Sequence, residues 1–142
     1  MFHFRLVSQT GTKFDQEVAE VVLPTMDGEI GVLTDHMPLV SVVSNGVISI
    51  RENPKDSDRN MTFFATNGGV VEVDNNNLNV LVDEADHEDS INEAEAQAAY
   101  EKAQKLKSEA KDQVSLEHAQ KMIDRQAVRL QVASLKRRRH HK

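Results

Sequence analysis

No cysteine occurs in the 142 residues, so neither a disulfide framework nor a cysteine-ligated zinc site is available, and a reducing compartment, most simply the cytoplasm, is expected. Long apolar runs are missing as well. No segment approaches the ~20 residues that span a bilayer, and the N-terminal MFHFRLVSQTG is too short in apolar residues for a signal peptide and lacks the Arg/Ser-rich character of a transit sequence. Any membrane association is therefore expected to be peripheral. Excess positive charge is also absent: 17 basic side chains face 23 acidic ones, and the net charge of −6 disfavours broad binding to phosphate backbones. The length suits one or two small domains and is short for an enzyme with a cleft between lobes.

Glycine and proline are absent from the whole second half. All six glycines (11, 28, 31, 46, 68, 69) and all three prolines (24, 38, 54) lie in the first 69 residues, and nothing after Gly69 interrupts a helix. What precedes it reads as short β-branched runs: FHFRLVS, VAEVVLP, PLVSVV, GVISIRE, MTFFATN, VVEV and LNVLVDE. These predict about seven or eight strands. The turns between them, GTK, NPKDSD, NGG and DNNN, are rich in residues that accept positive φ or cap their own backbone. An antiparallel β-sandwich or flattened barrel over residues 1–85 is expected.

The second part, residues 90–139, reads as a two-helix antiparallel hairpin, which makes the fold class α+β. Ser90-Ile91-Asn92-Glu93 fits a capping box, and an alanine-rich helix is expected to run from there to about Lys111. Ile91, Ala94, Ala98, Leu106 and Ala110 are spaced for one face, and Leu116, Ala119, Ile123, Ala127 and Leu130 for a second helix, with a polar link over residues 112–115. Alanine buries little area, so this seam is expected to be weak and able to open. Charge is divided too: residues 83–95 contain seven acids and no Lys or Arg, and residues 125–142 contain seven bases and no acid. Helix-dipole complementarity accounts for part of this. The run Lys136 to Arg139 is expected to continue beyond the acids able to face it, as tails that bind acidic partners do.

Catalytic patterns fail against these residues. Gly28-Glu29-Ile30-Gly31 lacks the G-x-G-x-x-G spacing, no G-x-x-x-x-G-K-[ST] or G-x-S-x-G occurs, and the six histidines (3, 36, 87, 118, 140, 141) show no ligand spacing. A GxxG clamp on a nucleotide backbone needs positive surroundings, whereas Glu29 and Asp35 add negative charge here. Met37 and Phe63-Phe64 read as core or interface residues. No catalytic residue, metal site or cofactor site is expected.

The chain as a whole resembles the epsilon subunits of bacterial F-type ATP synthases. The resemblance rests on G-E-I-G-V-L-x-x-H-x-P-L (Gly28 to Leu39), N-G-G-V-V-E-V (Asn67 to Val73) and R-Q-A-V-R-L-Q-V-A (Arg125 to Ala133). It implies a ten-stranded sandwich followed by two helices. It implies a non-catalytic place in the central rotor stalk, at the cytoplasmic face of the bacterial plasma membrane, where the sandwich binds the gamma subunit and the ring of c subunits. Glu29, His36 and Leu39 are then expected near the polar loops of the c ring, with Gly28 and Gly31 permitting a tight turn and Pro38 restarting a strand. The hairpin would restrain ATP hydrolysis when extended along gamma, where Arg125, Arg129, Arg137, Arg138 and Arg139 would meet the catalytic beta (and alpha) subunits.

The family pattern is broken at one place. Some relatives bind ATP through I/L-D-x-x-R-A and an arginine pair on the second helix, but here the stretch is Ile91-Asn92-Glu93-Ala94-Glu95-Ala96. Glu93, Glu95 and Asp86 would repel a polyphosphate, so ATP binding is expected to be weak or absent although Arg125 and Arg129 remain. The alternative from a different class is an autonomous adaptor whose basic tail binds an acidic protein or a nucleic acid.

Overall fold

The computed structural model describes residues 1–140. Ten strands come first: β1 (Phe2–Ser8), β2 (Gly11–Val18), β3 (Glu20–Thr25), β4 (Gly28–Val32), β5 (Leu39–Val43), β6 (Gly46–Arg51), β7 (Thr62–Thr66), β8 (Gly69–Asp74), β9 (Asn77–Val82) and β10 (Ala85–His87). Helices α1 (Glu93–Glu109) and α2 (Gln113–His140) follow, and short 3-10 turns cover Asp58–Asn60 and Glu88–Ser90. The strands that the apolar runs did not show are β2, β4 and β10. β2 exposes nearly every side chain, β4 is punctuated by two glycines, and β10 has three residues, so backbone pairing rather than an apolar pattern defines them.

Hydrogen bonding links the strands in the order β10-β7-β6-β3-β5-β8-β9-β1-β2, with β4 on β3. The pairs are antiparallel except β1 with β9, which run parallel, a departure from the all-antiparallel expectation. β3 carries the sheet from one layer to the other: Glu20–Val22 pair with β6, and Thr25 pairs with Val43 of β5. Between the layers lies a core of Phe2, Phe4, Leu6, Val21, Leu23, Ile48, Ile50, Phe64, Val71, Val73, Leu78 and Val80. Each such side chain contributes about 1.5–3 kcal/mol by leaving water, which makes the sandwich the stable part of the molecule.

The helix start differs from the expected capping box. Asn92, not Ser90, is the N-cap: its side chain accepts a hydrogen bond from the Glu95 amide at 3.0 Å, while the Ser90 hydroxyl donates to the His87 carbonyl. The expected polar link is mostly the first turn of α2, capped by Asp112, whose carboxylate accepts from the Ser115 amide at 2.8 Å.

Packing corrects the expected seam. In α1 the buried positions are Ala96 and Ala103, whereas Ala94, Ala98 and Leu106 are exposed. In α2, Ala119 is buried and Ala127 exposed, and a second face carries Val128 and Val132 into a separate cluster with Val47, Met61, Phe63 and Ala65. α2 therefore lies between α1 and the outer face of β6 and β7. The alanine seam does not hold the hairpin alone, because the sandwich holds α2.

Close backbone approach sets the tolerance of the glycines. A Cβ on Gly69 would stand 1.9 Å from the Leu81 carbonyl oxygen, whereas one on Gly31 would stand 3.6 Å from Glu20 Oε2, an ordinary contact. Gly69→Ala is expected to cost about 3 kcal/mol of unfolding free energy through overpacking of β8 on β9, and Gly31→Ala to stay within about 1 kcal/mol of the parent. Urea titrations of the two variants check this, and equal losses at both positions would contradict it.

Candidate docking surfaces

The segment from Gly28 to Leu39 is a strand with a turn at each end rather than one loop. Gly28, at φ +111°, closes the β3–β4 turn, where the Thr25 hydroxyl donates to its carbonyl oxygen at 2.5 Å. Glu29 is exposed and stands opposite Pro24. Gly31 lies inside β4 opposite Val22, outside the left-handed region, so the turn-forming role expected for it falls to Gly28 alone. After β4 the chain turns at residues 33–38. There Asp35 adopts φ +63°, the His36 amide donates to the Leu33 carbonyl at 3.2 Å, and His36 Nδ1 lies 2.7 Å from the Met37 carbonyl oxygen. From Glu29 to Val32 the strand advances about 10 Å at ~3.3 Å per residue, so Glu29 and His36 lie toward opposite ends of β4 rather than in one loop.

Register decides which neighbour of Pro38 faces outward. Leu39, expected near the ring, is half-buried against the main core, and its neighbour Val40 is 77 % exposed. Pro38 itself is exposed and immediately precedes β5. The turn at 33–38 also presents Leu33 and Met37, at 55 % and 78 % exposure.

A larger apolar surface crosses the second layer. Val42 of β5 pairs with Val70 of β8, Val70 pairs with Leu81 of β9, and Leu81 pairs with Val7 of β1. Val42, Val70 and Leu81 are each more than half exposed. These neighbours form a continuous stripe on the face turned away from the helices, a surface of the kind that marks an interaction site. Sequence patterning missed it because β5 reads PLVSVV, with apolar residues on both faces, and such a run does not reveal what covers each face.

The basic face of α2 is largely committed to internal partners. Arg125 Nε lies 3.0 Å from Glu84, Arg129 donates to Asp86 at 2.8 Å, Lys136 lies 2.8 Å from Asp89 and Arg137 2.9 Å from Glu93. Arg139 meets Glu88, which is 2 % exposed: Nη1 donates to Oε1 at 2.8 Å, and Nη2 lies 2.7 Å from Oε2 as an ion-pair contact. Arg139 also donates to the Met61 carbonyl, and Glu88 accepts from the Phe63 amide at 3.4 Å. The expectation that the run from Lys136 outlasts its intramolecular acids is thus corrected for Lys136, Arg137 and Arg139; Arg138 makes no ion pair among the described residues. Sequence could not show this, because the 3-10 turn at Glu88–Ser90 aims Glu88 inward.

The geometry is one of matched repeats. Glu84 and Asp86, two apart on an extended segment, are separated by about 6.6 Å, and Arg125 and Arg129, four apart on a helix, by about 6 Å. The outer pairs contribute little individually, ~0.2–1 kcal/mol each. Hydrogen bonding from Lys136 lowers the Asp89 carboxyl below its ordinary value. Its folded pKa is depressed, so this contribution is complete above the ordinary aspartate pKa and is lost as pH falls through the lowered one. Glu88 is different, because removing its partner leaves a buried charge uncompensated. Arg139→Gln is expected to weaken docking of the α2 C-terminal turns by about 3 kcal/mol, and Arg138→Gln to leave it unchanged. Amide hydrogen exchange over residues 128–139 measures the difference.

Comparison with known proteins fits both halves of the fold. Residues 1–88 match the family model described as ATP synthase, Delta/Epsilon chain, beta-sandwich domain. The ATP synthase epsilon chain of Gloeobacter violaceus is 34 % identical over 131 residues, covering 91 % of this chain and 94 % of its own. The chloroplastic ATP synthase epsilon chain of Adiantum capillus-veneris is 33 % identical over 122 residues, covering 86 % of this chain and 89 % of its own. Among solved structures, a chain of the Euglena gracilis mitochondrial ATP synthase, in a complex of OSCP, F1 and c-ring, superposes with a TM-score of 0.78 at 21 % identity, over 92 % of this chain and 79 % of that one. With the sandwich matched by the family model and both helices included in relatives of more than 30 % identity, the chain belongs to the ATP synthase epsilon chain family.

Proposed function

We propose that this chain is a non-catalytic rotor subunit of an F-type, proton-translocating ATP synthase, joining the gamma subunit to the c-subunit ring and restraining ATP hydrolysis through its two helices. It touches the membrane only through that complex, as a peripheral subunit on the cytoplasmic face of the bacterial plasma membrane. No helix among the described residues is long and apolar enough to cross a membrane. The observation that carries the reading is the Val42-Val70-Leu81-Val7 stripe: one outer face of the sandwich receives the chain's own α2, and the other stays apolar and open for gamma. The turns bearing Glu29 and His36 then meet polar loops of the ring. The adaptor alternative loses its basis where most of the basic run is paired with carboxylates, and nucleic acid is not a partner in this reading.

Val70→Asp places a charge at the centre of the stripe without touching the core. It is expected to reduce co-purification with a gamma-like coiled coil by tenfold or more while the sandwich stays folded, and to remove inhibition of the ATPase. Undiminished co-purification would exclude this face as the gamma contact.

No role for ATP is proposed. Glu84 and Asp86 neutralise Arg125 and Arg129, and the cleft among these four residues holds only about 10 Å³, room for about one water molecule. The wider neighbouring cleft, about 500 Å³, is lined by Asp83, Glu84 and Asp124 beside Lys121 and Arg125, which leaves acids facing any polyphosphate. The Asn92 side chain caps α1 at the Glu95 amide, and the exposed Glu95 carboxylate adds a further negative charge there. Calorimetric titration of the isolated chain is expected to give no ATP binding in the micromolar range, and micromolar affinity would overturn this.

A further inference from the structure

Three non-glycine residues among those described have left-handed backbones: Asp35 at φ +63°, Asn75 at +48° and Asn76 at +60°. Two of them, Asp35 and Asn76, lie 41 residues apart in the chain and meet in one contact. The Asn76 side-chain oxygen accepts from the Asp35 amide at 2.6 Å, and its side-chain nitrogen donates to Asp35 Oδ1 at 2.9 Å. The hydrogen bonds are reciprocal, the one to the backbone amide short and the side-chain one of ordinary length. Around them the N-terminal ammonium of Met1 donates to the Thr34 hydroxyl at 2.8 Å, and the His3 amide donates to the Asn76 carbonyl at 3.0 Å. The turn after β4 has no apolar anchor of its own at its tip, since Leu33 and Met37 both point to solvent. Its shape is held from the β8–β9 turn.

We propose that Asn76 is a positioning residue for docking: through Asp35 it holds the turn 33–38, and with it His36, Leu33 and Met37, in the conformation that meets the c ring. This rests on the rotor reading above. Asparagine and aspartate are among the few non-glycine residues that accept left-handed backbone readily, and a contact that joins two such sites holds backbone conformations that would otherwise relax. Asn76 itself need not touch the partner. It acts because a turn that samples several shapes presents the docking groups in the right one only part of the time, which lowers apparent affinity by that fraction.

Asn76→Gly removes both side-chain hydrogen bonds while easing the left-handed backbone, so the β8–β9 turn stays formed. Asn75→Gly eases the neighbouring strained position and leaves the contact intact, which makes it the matched control. In the isolated chain, hydrogen exchange at the Asp35 and His36 amides is expected to rise roughly tenfold in Asn76→Gly and to stay unchanged in Asn75→Gly. In the reassembled ATP synthase, ATP-driven proton pumping is expected to fall severalfold relative to ATP hydrolysis in the first variant only. Unchanged exchange at Asp35 and His36 would overturn the positioning contact itself. Faster exchange with undiminished pumping would instead overturn the docking role of the turn, and a pumping loss of equal size in Asn75→Gly would assign the effect to the β8–β9 turn and refute the proposal.

Discussion

Two-residue alternation along the strands settles which surfaces this molecule has to offer. In β8, Val71 and Val73 turn into the core and Val70 turns out; in β7, Phe64 turns into the core and Phe63 turns out. Both outward residues are apolar, yet they meet different fates. Phe63, with Val47 and Ala65, is covered by Val128 and Val132 of α2, whereas Val70, with Val42 and Leu81, has no cover among the described residues. A one-residue slip in either strand would exchange inner and outer sets and abolish both surfaces together. The hairpin site and the open stripe are therefore two consequences of one register.

Attachment of α2 combines forces of unequal kind. The apolar cluster supplies most of the favourable free energy, since burying a valine or phenylalanine is worth about 1.5–3 kcal/mol. The outer ion pairs add specificity of placement more than strength, because all but the part-buried Arg129–Asp86 are exposed to screening by salt. Glu88 with Arg139 ties the far end of the helix to β7 through Met61 and Phe63. A register slip of α2 by one turn would leave Glu88 buried without its guanidinium, a far larger penalty than any gain from a rearranged surface pair. The apolar side chains keep the helix on the sandwich, and the buried carboxylate selects its register.

Much of this was legible in the residues. Short β-branched runs marked seven of the ten strands, and the loss of glycine and proline after Gly69 located the helical part. The acids at 83–95 and the bases at 125–139 announced a charge pairing. What was not legible follows from what composition does not encode. β2 and β4 are defined by partners rather than patterns. The alanine faces were misplaced because alanine is too frequent in α1 for spacing to single out Ala96 and Ala103. The unbroken MTFFAT held a signal that could have revealed the docking of α2, since adjacent buried aromatics on a strand require cover on both faces. At the candidate site, Gly28 and His36 could be picked from their motif, but their separation by β4, the inward turn of Leu39 and the contact of Asp35 with Asn76 depend on pairing between distant segments. The DNNN turn was visible as a turn; its hold on residue 35 was not.

The same arrangement constrains how the helices can leave. Lifting α2 uncovers Val47, Phe63 and Ala65 on the sandwich together with Val128 and Val132 on the helix, and it separates the four ion pairs to Glu84, Asp86, Glu88 and Asp89 in the same movement. Partial opening is poorly rewarded, because peeling the C-terminal turns first strands Glu88 while the apolar cluster still holds the middle of the helix. Opening is then closer to a two-state event than to fraying, and a ligand or partner moves that equilibrium only by its difference in affinity for the two states. A surface that takes α2 from the sandwich must replace both contributions: an apolar groove for the valines, and carboxylates placed about one helical turn apart for Arg125 and Arg129. A surface that is merely acidic meets only the weaker of the two demands, so charge can steer the helix toward a partner but cannot by itself hold it there.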